Sequence, residues 1–488
     1  MPLSKKEVTL DPTDWEEFRR LGHKMIDDMV DDLTSLADSP TWQQMPKEIN
    51  KTLTMERLPR SPQGAEKAYG EFLTNILPYR LGNTTPRFYG WVMGPGVPLA
   101  SLADMLASNM NPNCAGANQS SHVVELQVVE WMKEALGYDP AASGLLASGG
   151  SMANLIGLNV GRFAKCGFDV RKEGLAGGPR LTFYGSTETH SWAVKASELM
   201  GLGNSGFRTV PVDANFRVGV EALRAKIKKD RAAGMKPFAI IANVGTVNTG
   251  AVDDINALAD ICAEEDLWLH ADGAFGALAA ISPNLKARVA GLERVDSVGF
   301  DLHKWMYLPF EIACILIKDP VAHKGAFATH AAYLKTAERG PVAGPLTFSE
   351  SGYELSRGFK ALKAWMCLKA YGITPFAEAI EMNVSQAEHL TSLVEEADDL
   401  DLMAPTSLNI VCFRYKPTGL SDEVLNAVNE ETLLRIHEQG LAVPSSTIID
   451  GKYVIRVAIV SHRTKFQDLT DLAEDVQRIG AEVVAEQS

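Results

Sequence analysis

Ser297-Val298-Gly299-Phe300-Asp301-Leu302-His303-Lys304-Trp305 is the stretch on which the reading of this chain turns. A short apolar run delivers a lysine just past its carboxyl end, and in α/β sheets ligands bind at that edge. Trp305, Met306 and Tyr307 follow. A lysine hemmed by them is expected to be partly desolvated, which keeps its amine neutral and nucleophilic, as a Schiff-base lysine requires. Taken singly, Lys304 reads as a surface lysine on a loop. Three further stretches change that.

Upstream lies Trp268-Leu269-His270-Ala271-Asp272-Gly273-Ala274-Phe275-Gly276. A carboxylate ends an apolar strand and is followed by small residues that leave room for a flat ring. A carboxylate facing a pyridine nitrogen keeps it protonated, as an electron-sink cofactor requires; the plainer role for Asp272 is a helix cap. Ala147-Ser148-Gly149-Gly150-Ser151-Met152-Ala153-Asn154 runs into a helical pattern over Leu155–Arg162. Glycines before a helix start let N–H groups close on a phosphate, which the helix dipole also attracts. In Thr187-Glu188-Thr189-His190-Ser191-Trp192 a histidine follows the strand Leu181–Tyr184, placed to stack on a ring and meet a substrate carboxylate.

Two other motifs fail on context. Gly201-Leu202-Gly203-Asn204-Ser205-Gly206 matches the GxGxxG dinucleotide fingerprint, but a helical stretch (Ala193–Met200) precedes it and a strand-like one (Phe207–Val212) follows. That is the reverse of the required order and disfavours an NAD-dependent dehydrogenase. Ser148-Gly149-Gly150-Ser151-Met152 is not the GxSxG elbow of a serine hydrolase.

Outward from these motifs the chain divides into three. Residues 1–75 carry amphipathic helices, one through Trp15, Phe18, Leu21, Met25, Ile26, Met29 and Val30 and another near Glu66–Ile76. Helices so far from a core are expected to pack on a partner subunit. Over 76–370, runs at Leu181–Tyr184, Phe238–Val244, Trp268–His270, Ser297–Gly299 and Ile312–Ile317 alternate with helical patterns such as Asn256–Glu265. That alternation predicts an α/β domain with a largely parallel sheet. Over 371–488, strands at Leu408–Tyr415 and Tyr453–Val460 with helices near Glu423–Gln439 and Phe466–Ile479 predict a smaller α+β domain.

The 488 residues are 46% hydrophobic and 22% charged, an ordinary globular composition, and the net charge of -14 argues against nucleic acid or an anionic membrane as partner. Met1-Pro2-Leu3-Ser4-Lys5-Lys6-Glu7 lacks the apolar run of a signal peptide, and no stretch reaches the roughly 20 apolar residues of a membrane span. The six cysteines stand singly, without zinc spacing, and read as reduced thiols of a cytoplasmic protein; no metal site is expected.

Together the four motifs resemble the group II pyridoxal-phosphate decarboxylases, most closely the aromatic-L-amino-acid decarboxylase branch. The resemblance extends through Thr85-Pro86-Arg87-Phe88, Leu102-Ala103-Asp104-Met105-Leu106, Glu125, Glu130-Trp131-Met132 and Val244-Gly245-Thr246-Val247-Asn248-Thr249-Gly250-Ala251-Val252-Asp253. It continues in Leu355-Ser356-Arg357, Leu362-Lys363-Ala364-Trp365, Val454-Ile455-Arg456-Val457 and Arg463-Thr464. It implies a type I aminotransferase-like fold and a homodimer with its active site at the subunit interface. It implies pyridoxal 5'-phosphate held covalently by Lys304, with Asp272 at the pyridine nitrogen, His190 stacked on the ring, Ala274 beneath it, and Gly150 and Ser151 around the phosphate. Thr246 falls where the family places a hydroxyl near the cofactor, and His303 sits beside the lysine. Asp301 falls where aromatic enzymes often carry Asn, and an anion there would repel phosphate. Trp91 and Val92 correspond to substrate-pocket positions, and Arg87 is the one nearby arginine. The implied reaction converts an L-amino acid of the Trp, Tyr, Phe or DOPA class to its amine and carbon dioxide.

Two departures bear on substrate and product. Where many members carry Ser-Pro-Ala, this chain has Ser120-Ser121-His122, which brings His122 to the substrate pocket. In the loop near Leu346–Tyr353, the proton-donating tyrosine of the family falls on Phe348. Loss of that hydroxyl opens the alternative of an aromatic aldehyde synthase, unless Tyr353 or His190 supplies the proton.

Overall fold

The computed structural model describes residues 8–329, 338–341, 343–344 and 347–487. The expectation drawn from residues 1–7 and the loop position Leu346 lie outside the described residues. In chain order the described strands are β1 (Phe88–Tyr89), β2 (Ser143–Ala147), β3 (Leu181–Ser186), β4 (Phe207–Val210), β5 (Lys236–Asn243), β6 (Trp268–Asp272), β7 (Ser297–Asp301), β8 (Ala313–Ile317), β9 (Leu400–Leu402), β10 (Ile410–Tyr415), β11 (Val443–Ile449) and β12 (Lys452–Ala458).

Seven of them form one sheet in the order β2-β8-β7-β6-β5-β3-β4. Neighbours from β7 through β4 are parallel, and β8 alone runs against the rest, antiparallel to both β2 and β7. Parallel neighbours need crossovers, and the helices Trp192–Leu199, between β3 and β4, and Ile255–Glu265, between β5 and β6, supply two of them. Every residue of β3, β6, β7 and β8 is buried, which is why their sequences are apolar runs rather than alternations. Each fully buried Leu, Ile or Phe there contributes about 1.5–3 kcal/mol. β6 and β7 run two residues beyond their expected ends. Pairing carries the ladder into polar positions, with Asn243 opposite Asp272 and Asp272 opposite Gly299. This register sets the polar ends of three strands side by side at one sheet edge.

The second sheet has the order β1-β11-β12-β10-β9, with the helices Thr374–Glu396, Asp422–Glu438 and Phe466–Gln487 packed against it. β1, from the span read as the large domain, pairs parallel with β11 through Phe88 opposite Val443 and Tyr89 opposite Pro444. The residues leading into the pocket wall thus belong to the small sheet.

At the N-terminal end, Asp14 caps the helix Trp15–Thr34, its Oδ1 accepting from Glu16 N (2.8 Å) and Glu17 N (3.0 Å). Leu21 is the one buried residue of that helix, while Trp15, Phe18, Met25 and Val30 are exposed. The helices Lys47–Met55 and Ala65–Asn75 contain no buried residue. No helix among the described residues is long and apolar enough to cross a membrane. All six cysteines are unpaired and buried.

Candidate active site

A cavity of about 630 Å³ opens at the carboxyl ends of β2, β5, β6 and β7, where α/β sheets bind ligands. Of the residues singled out in the sequence, Lys304, His303, Asp272, Ala274, His190, Gly150, Ser151, Thr246, Trp91 and Val92 all line it.

Lys304 follows β7 in a turn, and its Nζ lies 2.8 Å from Asp301 Oδ2. Trp305, Met306 and Tyr307 do not line the cavity, contrary to the shielding expected of them. Instead Trp305 Nε1 and Tyr307 OH both donate to Asn383 Oδ1 (3.1 and 2.8 Å), anchoring the turn to the helix Thr374–Glu396. From the other side Gly94 N donates to the His303 carbonyl (3.1 Å). A Cβ at Gly94 would stand 2.5 Å from the carbonyl oxygens of both His303 and Lys304, so only glycine fits. The His303 ring packs on Phe310 at 4.3 Å, and burial holds its pKa below the ordinary histidine value.

Gly150 begins the helix Gly150–Lys165, whose N-cap, Gly149, has no side chain to close the first turn. The N–H groups there are left for an anion, and the dipole favours one. Asp301 is buried beside them: a Cβ on Gly150 would lie 2.7 Å from its Oδ2. The carboxylate whose repulsion the sequence raised is therefore paired with Lys304, and it stands next to the uncapped helix start.

Asp272 ends β6. Its Oδ2 accepts from Trp192 Nε1 at 2.6 Å and its Oδ1 from Ala274 N at 3.2 Å. His190 stands at the solvent-accessible side of the cavity, where the surrounding protein lowers its pKa against the opposing pull of Asp272. Its Nδ1 accepts from Trp192 N at 3.2 Å, so the neutral ring carries its proton on Nε2. Behind Asp272, His270 is fully buried, with Nδ1 on Ser297 Oγ (2.8 Å) and Nε2 on Asn154 Oδ1 (3.0 Å); burial lowers its pKa to about 4. The Thr246 hydroxyl meets Thr249 Oγ1 (3.0 Å) and accepts from Ala251 N (3.1 Å), shaping its own turn.

Trp91 forms the outer wall with φ at +52°, an uncommon conformation for a bulky residue. Arg456 of β12 holds it there: Nη1 donates to the Trp91 carbonyl (2.7 Å), and Nε to the Asn248 carbonyl (3.0 Å). Asn248 Nδ2 in turn donates to Glu188 Oε2 (2.9 Å) on the cavity lining. Arg87, the arginine noted in the sequence, is spent on the carbonyls of Leu441, Ala37 and Ser39 and does not line the cavity.

Three assigned residues are not brought to this cavity of their own chain: His122, Phe348 and Tyr353. His122 is buried on the helix Ser120–Leu136, its ring 4.9 Å from that of Phe348. Phe348 is fully buried between His122 and the Arg357 guanidinium, 4.7 Å from its ring, and Tyr353 packs edge-on to Phe327. Missed in the sequence were Trp192, Asn154, Asn243, Phe310 and Glu311, which complete the lining. Trp192 and Asn154 stood inside quoted motifs, but nothing local marks an indole as the partner of a carboxylate that follows far along the chain.

This lining fits pyridoxal phosphate. Lys304 would offer its amine to the carbonyl carbon, the uncapped helix start would offer N–H groups to the phosphate, and Asp272 retains accepting capacity beyond its two bound donors. Among the described residues no cluster of His, Cys, Asp or Glu is placed to hold a metal. The model of the pyridoxal-dependent decarboxylase conserved domain matches residues 46–416. An aromatic-L-amino-acid decarboxylase of Bacillus atrophaeus is 34% identical over 96% of both chains. A phenylacetaldehyde synthase of Petunia hybrida is 27% identical over 97% of this chain and 95% of its own. The crystal structure of Catharanthus roseus tryptophan decarboxylase in complex with L-tryptophan superposes with a TM-score of 0.87 at 25% identity, covering 97% of this chain and all of that one. With the lysine, the carboxylate and the uncapped helix start in one cavity and the family match over most of its length, the chain belongs to the pyridoxal-dependent decarboxylases and is a pyridoxal-phosphate-dependent carboxy-lyase.

Proposed function

We propose that the chain decarboxylates an aromatic L-amino acid to its amine, as a cytoplasmic homodimer. The observation that carries the substrate class is the cavity wall. Trp91, Val92, Phe275 and Phe310 are apolar, and among the described residues lining the cavity there is no arginine to pair a side-chain carboxylate. The names of the relatives point the same way.

Bound pyridoxal phosphate supplies an electron sink for the pair released as the carboxylate leaves as carbon dioxide. This chain's residues do the rest. Lys304 would hold the cofactor and, once displaced by the substrate amine, would take that amine's proton at Nζ. Asp272, its carboxylate held by the Trp192 indole N–H and the Ala274 N–H, would meet the pyridine nitrogen. His190, neutral with its proton on Nε2, would stack on the ring and donate toward the substrate carboxylate. The aromatic walls exclude water around the leaving group, which strengthens each charge interaction inside.

The apolar residues exposed on Trp15–Thr34 support the dimer, since a lone helix with one buried residue gains little from its own chain. The unpaired buried thiols support the cytoplasmic location. Phe348 favours a second reading. It stands at the inferred place of the loop proton donor without a hydroxyl, and its ring is packed rather than free. If the partner's copy of the loop closes on the cavity, that ring excludes water but gives no proton, and oxygen then intercepts the reaction. One assay separates the readings: incubation with each aromatic amino acid while carbon dioxide, amine, ammonia and peroxide are measured together. Carbon dioxide matched by amine is expected; carbon dioxide matched by ammonia and peroxide overturns it in favour of the aldehyde synthase.

A further inference from the structure

Among the described residues only Trp192 and Ala274 donate hydrogen bonds to the Asp272 carboxylate. The Ala274 bond is a long backbone contact within the same turn. The Trp192 bond is short, comes from another element of the fold, and lies in a buried setting, the indole being 3% exposed. An indole N–H is a donor with no acceptor capacity, so it binds an oxygen that carries a lone pair and gains most from an anionic one. The contact therefore fixes which of the two carboxylate oxygens meets the indole.

Trp192 is itself held. Its ring meets that of His270 edge-on, with centroids 5.7 Å apart and planes at 81°. Both His270 nitrogens are already taken by Ser297 and Asn154, so that ring is a neutral support rather than a rival partner for Asp272. The backbone N of Trp192 donates to His190 Nδ1. One residue thus ties the carboxylate at the end of β6 to the histidine on the other side of the cavity. The titratable groups around the carboxylate are His190, His270, Lys304 and Asp301, and none of them shares a hydrogen bond with it.

We propose that Trp192 is a positioning residue of the reaction: its indole N–H holds and orients the Asp272 carboxylate that would keep the cofactor's pyridine nitrogen protonated. This rests on the reading of Asp272 as the partner of that nitrogen. Trp192 touches neither substrate nor reacting atoms in this role, and it acts through Asp272 alone.

The test loads the full-length protein with pyridoxal phosphate labelled with ¹⁵N in the ring and records the chemical shift of that nitrogen across the neutral pH range. Wild type, Trp192→Phe, Asp272→Asn and the double variant are compared. Trp192→Met, a flexible apolar side chain without an N–H, is run alongside, and thermal melts identify the variant that keeps the fold. In wild type the signal is expected to stay at the protonated position. In Trp192→Phe it is expected to move toward the neutral pyridine as pH rises, with kcat falling about tenfold to a hundredfold and KM changing less. In the Asp272→Asn background the Trp192 substitution is expected to change neither reading further. An unmoved ¹⁵N signal in Trp192→Phe, or an equal loss of rate in both backgrounds, overturns the proposal. A wild-type signal and rate in Asp272→Asn instead overturns the underlying role of Asp272.

Discussion

Arg357→Leu is expected to strand a buried charge, with a cost that grows as pH rises. Glu125 is fully buried. Its carboxylate is met by both terminal nitrogens of Arg357, at 2.5 and 3.1 Å, and by the Leu146 N–H at 3.0 Å. Arg357 also donates to the carbonyls of Leu146 and Cys114, so it fixes the end of β2 just ahead of the Gly149-Gly150 helix start. Without the guanidinium, Glu125 keeps one backbone donor, and breaking a buried pair in this way costs about 3–5 kcal/mol at neutral pH. Burial already holds the Glu125 carboxyl above the ordinary range, opposed chiefly by Arg357, so the folded pKa rises further in the variant. In the unfolded chain the same group titrates near about 4.3. Between that value and the raised folded one, the native state binds a proton that the unfolded state lacks. Stability therefore falls with rising pH, by up to about 1.4 kcal/mol per unit. Below the unfolded value the penalty shrinks to lost packing and hydrogen bonds. Urea midpoints of wild type and variant, taken from about pH 4.5 to 7.5, read this directly. Adding Glu125→Gln to the variant should recover much of the loss at neutral pH. A penalty of equal size at every pH would refute the reasoning.

Lys304→Ala should abolish the visible band of the bound cofactor, and borohydride reduction of the wild type followed by peptide mapping should place the label on Lys304; a label on another lysine sinks the assignment. Gly94→Ala drives a Cβ to 2.5 Å from two backbone carbonyls, which cannot swing aside like a flexible side chain. It should cost about 1–3 kcal/mol and lower the cofactor content of purified protein, and a normal melt with full cofactor contradicts it. Trp15→Glu combined with Phe18→Glu places charges on an exposed apolar helix face and should shift sedimentation toward monomer with loss of turnover. A fully active monomer rejects the dimer.

Long-range order was legible wherever chemistry and hydrophobicity coincided. The fully buried strands of the large sheet announced themselves as apolar runs, and their polar last residues are the ones that line the cavity. β2 and β11 escaped because Ser143-Gly144 and Pro444-Ser445-Ser446-Thr447 interrupt the apolar signal, although neighbouring strands complete their ladders. The helix Thr374–Glu396 was missed behind the Pro375 break, which stands at its first turn, where proline is tolerated. Lys304, Asp272 and Gly150 could be named because each ends or begins an element in a recognisable motif. Trp192, Arg357 with Glu125, and Arg456 could not be given roles, because each works through a partner distant in sequence. A side-chain pair across a fold leaves no periodic trace.

Arg456 carries a consequence for anyone who wishes to retarget this enzyme. No described residue lining the cavity lies beyond Glu311, yet the carbonyl of Trp91 is pinned by an arginine 365 positions later in the chain. Mutant libraries confined to the cavity lining would treat the outer wall as a fixed surface to be decorated. The strands β11 and β12 instead act as its adjustable frame, since Ser445 Oγ also accepts from Trp91 N and from Arg456 Nη1. Selection for a bulkier or slimmer substrate should therefore enrich changes at positions 445 and 456 as well as at 91, and drift within the C-terminal sheet would alter selectivity without touching a substrate contact.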